Sequence, residues 1–176
     1  MGSNDAGDAS RVTVHVAALT SDPVTGLPIV LLQDDLGRTV IPLSVGLSEA
    51  SALAAEIDNV ELARPATHQL TAAMLERCGA RVLGATISGV DGGLFCACIE
   101  LELAGGTVVT QDARPSDALA LALHTGAEIR VSIDVLEHVG TLGLRPEWDA
   151  LLPAPSACDE DVLSLLTEDV FGKWKM

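Results

Sequence analysis

Two short segments combine charged and polar residues in ways that could do chemistry. In DARPSDA, residues 112–118, Arg114 precedes Pro115, and Ser116 and Asp117 follow. Pro115 suits the first position of a helix, where its fixed φ helps and its missing N–H costs nothing. The first N–H groups of such a helix have no partner inside it. With Arg114 beside them they form a site for one phosphate. Asp117 argues the other way: it could cap those N–H groups and exclude an anion, or pair with Arg114. In RPATHQL, residues 64–70, Arg64 and His68 lie four apart around another helix start, with Thr67 between them. A neutral imidazole can serve as a general base or a ligand. A lone histidine is more often structural.

Other polar residues have plainer explanations. Glu49 stands just inside a third helix start, where a carboxylate favours the helix dipole. Asp91, in VDGG, reads as turn chemistry. Asp112, Asp117 and Glu49 could together hold Mg²⁺ or Mn²⁺, which take carboxylates and keep waters. Their separation in sequence does not show whether they meet. Cys96 and Cys98 are two apart on a strand-like run and face one side, but no CxxC or HxxxH accompanies them. They read as small packing residues. No P-loop, GxGxxG, GxSxG or HExxH is present.

The elements that must position these residues follow from hydrophobic period. Residues 11–19, 27–34 and 38–46 read as three strands separated by turn clusters, an antiparallel meander. Residues 48–59 change to helical spacing, with Ser48 as N-cap and Ala50, Leu53, Ala54 and Ile57 inward. A second helix follows, capped by Thr67 or a neighbour, with Leu70, Met74, Leu75 and Cys78 as its apolar face and Gly79 at its end. Residues 80–112 return to strands, with a hairpin at Asp91-Gly92. The helix from Pro115 has almost no polar face and must be buried. A short strand at 128–132 and a last helix from Ile133 complete the pattern. Hairpins and clustered helices together make the class α+β: one domain of mostly antiparallel strands packed with a few helices.

This places a tail at 1–10, a domain at 11–140, and a Pro-containing linker with a short amphipathic helix at 141–176. In that helix Val162, Leu165, Leu166 and Val170 share one face. The chain of 176 residues carries 10 Lys+Arg against 25 Asp+Glu, a formal charge of −15. That argues against broad nucleic-acid backbone binding, which needs clustered cations. Aromatic residues make up 2% with no Tyr, which excludes a stacking platform of many rings. The N-terminus has neither a signal peptide's apolar core nor the myristoylation pattern, since Ala6 stands where Ser or Thr is needed. The apolar runs are too short to span a bilayer, so a cytoplasmic protein with free thiols is expected.

At its chemical segments the chain resembles a known family. IPLSVGLSEA (41–50), RPATHQL (64–70), LERCGARV (75–82), VDGGLFCA (90–97) and DARPSDALALALHTGAEIRV (112–131) occur in the order of the bifunctional nuclease domain. The resemblance covers about residues 11–140, and RPSDA before an Ala/Leu helix is its most specific element. It implies a compact α+β fold, a homo-oligomer of at least two chains, and cleavage of DNA and RNA. The matching positions are Glu49, Arg64, Thr67, His68, Asp91, Arg114, Ser116 and Asp117. Four positions depart from the pattern: Gln69 for the usual Asp, Ser44 for Trp, Cys96 for Tyr and His124 for Arg.

The first reading of these residues is a phosphodiesterase-type nuclease with divided roles. His68 acts as general base or acid. Arg114, Ser116 and the helix N-terminus hold the scissile phosphate, with Arg64 and Thr67 as further phosphate contacts. Asp117 and Glu49 orient the site or hold a divalent ion. Two other readings stand beside it. One is a non-enzymatic oligomeric binding or regulatory module, whose acidic C-terminal helix serves a protein partner. The other is a pocket for a small anionic ligand.

Overall fold

Runs rich in Val, Ile and Leu form the strands and Ala/Leu runs form the helices, in a computed structural model that describes residues 10–141. The order is β1 (Arg11–Ser21), β2 (Pro28–Asp34), β3 (Val40–Ser44), α1 (Leu47–Ile57), α2 (Thr67–Arg77), β4 (Arg81–Asp91), β5 (Leu94–Glu102), β6 (Val108–Ala113), α3 (Pro115–Thr125), β7 (Glu128–Ser132) and α4 (Ile133–Thr141). This is the expected α+β class. The expected tail at 1–9 and the linker and helix beyond 141 lie outside the described residues.

All seven strands form one sheet, in the order β3-β2-β1-β7-β4-β5-β6. Two antiparallel meanders, β1–β2–β3 and β4–β5–β6, are thus joined by β7. β7 runs antiparallel to β1 and parallel to β4. The hairpin at Asp91 is present: Gly92 and Gly93 form a two-residue loop with φ of 56° and 83°. Two positive φ values are what a tight right-twisting hairpin needs, and glycine takes them without strain.

α3 is the buried helix the sequence implies. Ala118, Leu119, Ala120 and Ala122 are fully buried, and the helix packs against α1, α2 and β4. From α1, Ala50, Leu53 and Ala54 join the same core. β2 is buried on both faces: Val30 and Leu32 face that core, while Ile29 and Leu31 join Ala18 and Val40 on the other side. On β5, Ala97 and Ile99 are buried, so Cys96 and Cys98 share the opposite face.

That opposite face carries an ion network spanning four strands. Glu100 on β5 binds Arg11 on β1 and, at 2.9 Å, Arg130 on β7. Arg130 reaches it by crossing β4 over Gly84, where a Cβ would collide with the guanidinium. Burial pushes the Glu100 carboxyl up, but the two arginines outweigh it and hold it below its ordinary range.

Two local expectations are corrected and one is narrowed. α1 is capped by Gly46 in extended conformation, so Ser48 is its second residue and not its cap. Of the alternatives for α2, the neighbour Ala66 holds the cap position and Thr67 is the first helical residue; the Gln69 side chain accepts the Ala66 N–H at 3.1 Å, in place of a hydroxyl cap. The apolar stripe of α2 does not enter the core. Leu70 is 51% and Met74 58% exposed, Cys78 is exposed, and only Leu75 and Ala72 pack inward. The short helix lies across α3 with a different edge down, because its N-terminus is pinned by polar contacts.

Candidate active site

The α3 N-terminus sets the site. A residue before proline is held extended, and Arg114 has φ −69° and ψ 148° as the N-cap. Its side chain is 65% exposed and makes three hydrogen bonds. Nε donates to Asp117 Oδ2 at 2.8 Å, Nη2 to Asp117 Oδ1 at 3.1 Å, and Nη1 to Glu49 Oε1 at 2.8 Å. Asp117 therefore pairs with Arg114 and does not cap the helix, which resolves the alternatives left open by the sequence. The N–H groups at the start of α3 receive no side-chain cap.

His68, the second residue of α2, completes the group. Its side chain is 17% exposed, and Nε2 lies 3.0 Å from Asp117 Oδ1. The hydrogen bonds from Arg114 hold the Asp117 carboxyl below its ordinary range, against burial and with a smaller contribution from His68. Arg114 is shifted further above its already high value, chiefly by Asp117. An ionised Asp117 only accepts, so Nε2 carries a proton toward it, and in the neutral imidazole the lone pair is then on Nδ1. The unit is an oriented histidine whose free nitrogen can take a proton.

Glu49 reaches Arg114 from α1. Its other carboxylate oxygen lies against Gly46, where a Cβ would force it to shift. Four residues expected from sequence, Glu49, His68, Arg114 and Asp117, thus meet from three helices. Ser116 is 8% exposed and lines a cavity of about 430 Å³ together with Arg114 and Glu49.

The remaining candidates stand apart. Thr67 is exposed, and only its carbonyl is engaged, by Thr71 at 2.8 Å. Arg64 is exposed and lies outside the Arg114 cluster. Asp91 and Asp112 are exposed on the hairpin and on β6. Among the described residues no three His, Cys, Asp or Glu side chains converge as metal ligands. The Glu49 and Asp117 carboxylates are already taken by Arg114, so this donor set does not fit a divalent ion as it stands.

Sequence reasoning missed a second polar node. Glu56 Oε1 accepts from Gln69 Nε2 at 3.1 Å, and Oε2 lies 3.0 Å from His124 Nδ1. This ties α1, α2 and α3 together one residue from His68. Gln69 and His124, two departures from the family pattern, meet on one carboxylate. Their joint departure was visible in the sequence, but nothing there pointed to Glu56. A larger cavity, about 670 Å³, lies between α2, the C-terminal end of α3 and β4, and holds none of the four clustered residues.

Comparison with known proteins places the chain in a family. The bifunctional nuclease domain matches residues 30–142, which include all four clustered residues. Two uncharacterized proteins of Mycobacterium tuberculosis, Rv1829 and MT1877, are each 30% identical over 162 residues, covering 92% of this chain and 90% of theirs. Bifunctional nuclease 2 of Oryza sativa subsp. japonica is 30% identical over 120 residues, covering 67% of this chain and 37% of the rice protein. With the matched segment spanning the helices that carry Glu49, His68, Arg114 and Asp117, the chain belongs to the bifunctional nuclease domain family.

Proposed function

We propose that the protein cleaves phosphodiester bonds of DNA or RNA at the His68–Asp117–Arg114 cluster. The observation that carries this reading is the shared carboxylate. Asp117 orients the base and the cation at once, so a phosphate on Arg114 comes next to His68. A guanidinium has five N–H donors. Three are occupied here, which leaves one on each Nη for phosphate oxygens. The uncapped N–H groups of α3 add to this anion site. His68 Nδ1 accepts the proton of the attacking water or hydroxyl as the new P–O bond forms. Arg114 stabilises charge developing on the phosphoryl oxygens while the leaving P–O bond breaks.

Arg64 fits a role along the strand beyond the scissile bond. Five of the seven arginines in the described fold, Arg11, Arg38, Arg81, Arg114 and Arg130, are ion-paired. Arg64 and Arg77, which bracket α2, are not among them. The same helix exposes Leu70 and Met74, and this supports self-association through α2. Sedimentation velocity is expected to show a dimer or larger assembly that Met74→Glu dissociates; a monomer at all concentrations overturns that part.

A second reading has one observation in its favour. Arg114 ties α1 to α3 through Glu49 and Asp117, as a purely structural latch would. One experiment separates the two readings: cleavage of fluorescent single-stranded RNA and DNA at low salt, with Mg²⁺, Mn²⁺ or EDTA. His68→Ala and Arg114→Ala are expected to lower the rate by about 100-fold or more with the fold intact. Variants that cleave as well as wild type would leave the structural latch as the role of the cluster.

A further inference from the structure

Beside Arg114 the surface turns apolar. The cavity of about 430 Å³ is lined by Leu43 and Val45 near the end of β3 and by Leu94 and Phe95 at the start of β5. Its size falls within the range of small-ligand sites, roughly 300–1,000 Å³. Arg114 and Glu49 are its charged lining groups, and they are already paired with each other. Leu94, at the hairpin, is 75% exposed. Phe95 is the sole Phe, Trp or Tyr among the described residues. It packs partly against the core and also lines this cavity. A chain almost free of aromatic rings thus places one next to its phosphate-binding arginine.

We infer that this cavity seats one unpaired nucleobase of the strand whose phosphate meets Arg114. The ligand's identity rests on the nuclease reading above. A nucleobase has two apolar faces and a polar edge, and the cavity offers a matching contrast. Val45, Leu94 and Phe95 supply apolar surface above the buried Leu43, and Glu49 and Ser116 supply polar atoms. Glu49 Oε1 is bonded to Arg114, and the second carboxylate oxygen remains to accept an N–H from a base edge. A stacked and paired base cannot enter such a pocket without leaving its helix. The site therefore selects single-stranded substrate. With one ring in place of a row of them, it reads one base and builds no extended platform.

The test compares two labelled strands of equal length by fluorescence anisotropy with the full chain at low salt. One is ordinary oligodeoxyadenylate; the other carries an abasic spacer at every position, so its phosphates are unchanged. The intact strand is expected to bind about tenfold tighter or more. Phe95→Leu should reduce it to the abasic level and leave abasic binding unchanged. Leu94→Ser, at an exposed position that cannot disturb the core, should weaken the intact strand alone by several-fold. Equal binding of the two strands by wild type overturns the base site while leaving the nuclease reading standing. Binding of neither strand overturns both. A fully paired duplex that binds as tightly as the single strand overturns the selection for unpaired bases.

Discussion

Asp117 has two duties, and they are separable by mutation. As an anion it orients Arg114; as an acceptor it fixes the His68 tautomer. Asp117→Asn keeps the size of the side chain but removes the charge and offers an N–H where an acceptor is needed. In the cleavage assay we expect a loss of about 10²–10⁴-fold in kcat, with the protein still folded at the assay temperature. Wild-type kcat in this variant would remove Asp117 from the reaction. At this scale the sequence was most legible. Arg114, Ser116 and Asp117 sit in one contiguous motif at a helix start that Pro115 announces. His68 could be singled out but not placed, because its partner is 49 residues away. Arg64 and Thr67, expected as phosphate contacts from the same segment, are both exposed around the helix start.

The elements matter because three helix starts must converge within hydrogen-bonding distance. Gly46 caps α1 and leaves room for the Glu49 carboxylate that bonds Arg114. Gly46→Ala is expected to turn Glu49 away and free a third donor on Arg114. Binding of inorganic phosphate should then tighten by a few-fold, while Glu49→Gln, which also weakens the pair, should act in the same direction. Titration with inorganic phosphate followed by NMR reads both; weaker binding in both variants would mean that Glu49 positions Arg114 and does not compete with the anion. Helix and strand periods were readable because Val-rich alternation and Ala/Leu spacing are strong local signals. The face of α2 was misread for a physical reason. Its apolar stripe obeys helical spacing, but Gln69–Glu56 and His68–Asp117 fix its rotation, so Leu70 and Met74 point outward.

Across the whole molecule, residues 1–140 carry seven Lys+Arg against 18 Asp+Glu, and every one of those cations is an arginine. Most are spent on carboxylates, so the proposed strand binding would rest on a few contacts and is expected to show a shallow salt dependence in a titration across ionic strength. The same pairs set the acid limit of the fold. Glu100 and Asp117 are held below their ordinary values of 4.5 and 3.8. A depressed carboxyl contributes stability above its unfolded pKa and loses it as pH falls through its folded pKa. Stability in urea melts should therefore stay level from neutral pH to about 5, and fall only below about 4.5. Glu100→Gln should cost about 1–3 kcal/mol at neutral pH and flatten that acid slope. An acid slope unchanged by Glu100→Gln would locate the sensitivity elsewhere. The local meander and the Asp91 hairpin were legible, but the joining of the two halves was not, because pairing between distant segments leaves no local trace: β7 unites them by lying antiparallel to β1 and parallel to β4.

That joining strand has a consequence during synthesis. Each meander can form as soon as it leaves the ribosome, yet β1 and β4 present bare hydrogen-bonding edges until residues 128–132 arrive. Nascent chains at that stage are two half-sheets with matching open borders, apt to zip onto one another or onto a neighbouring chain. The last strand made is the one that seals the seam.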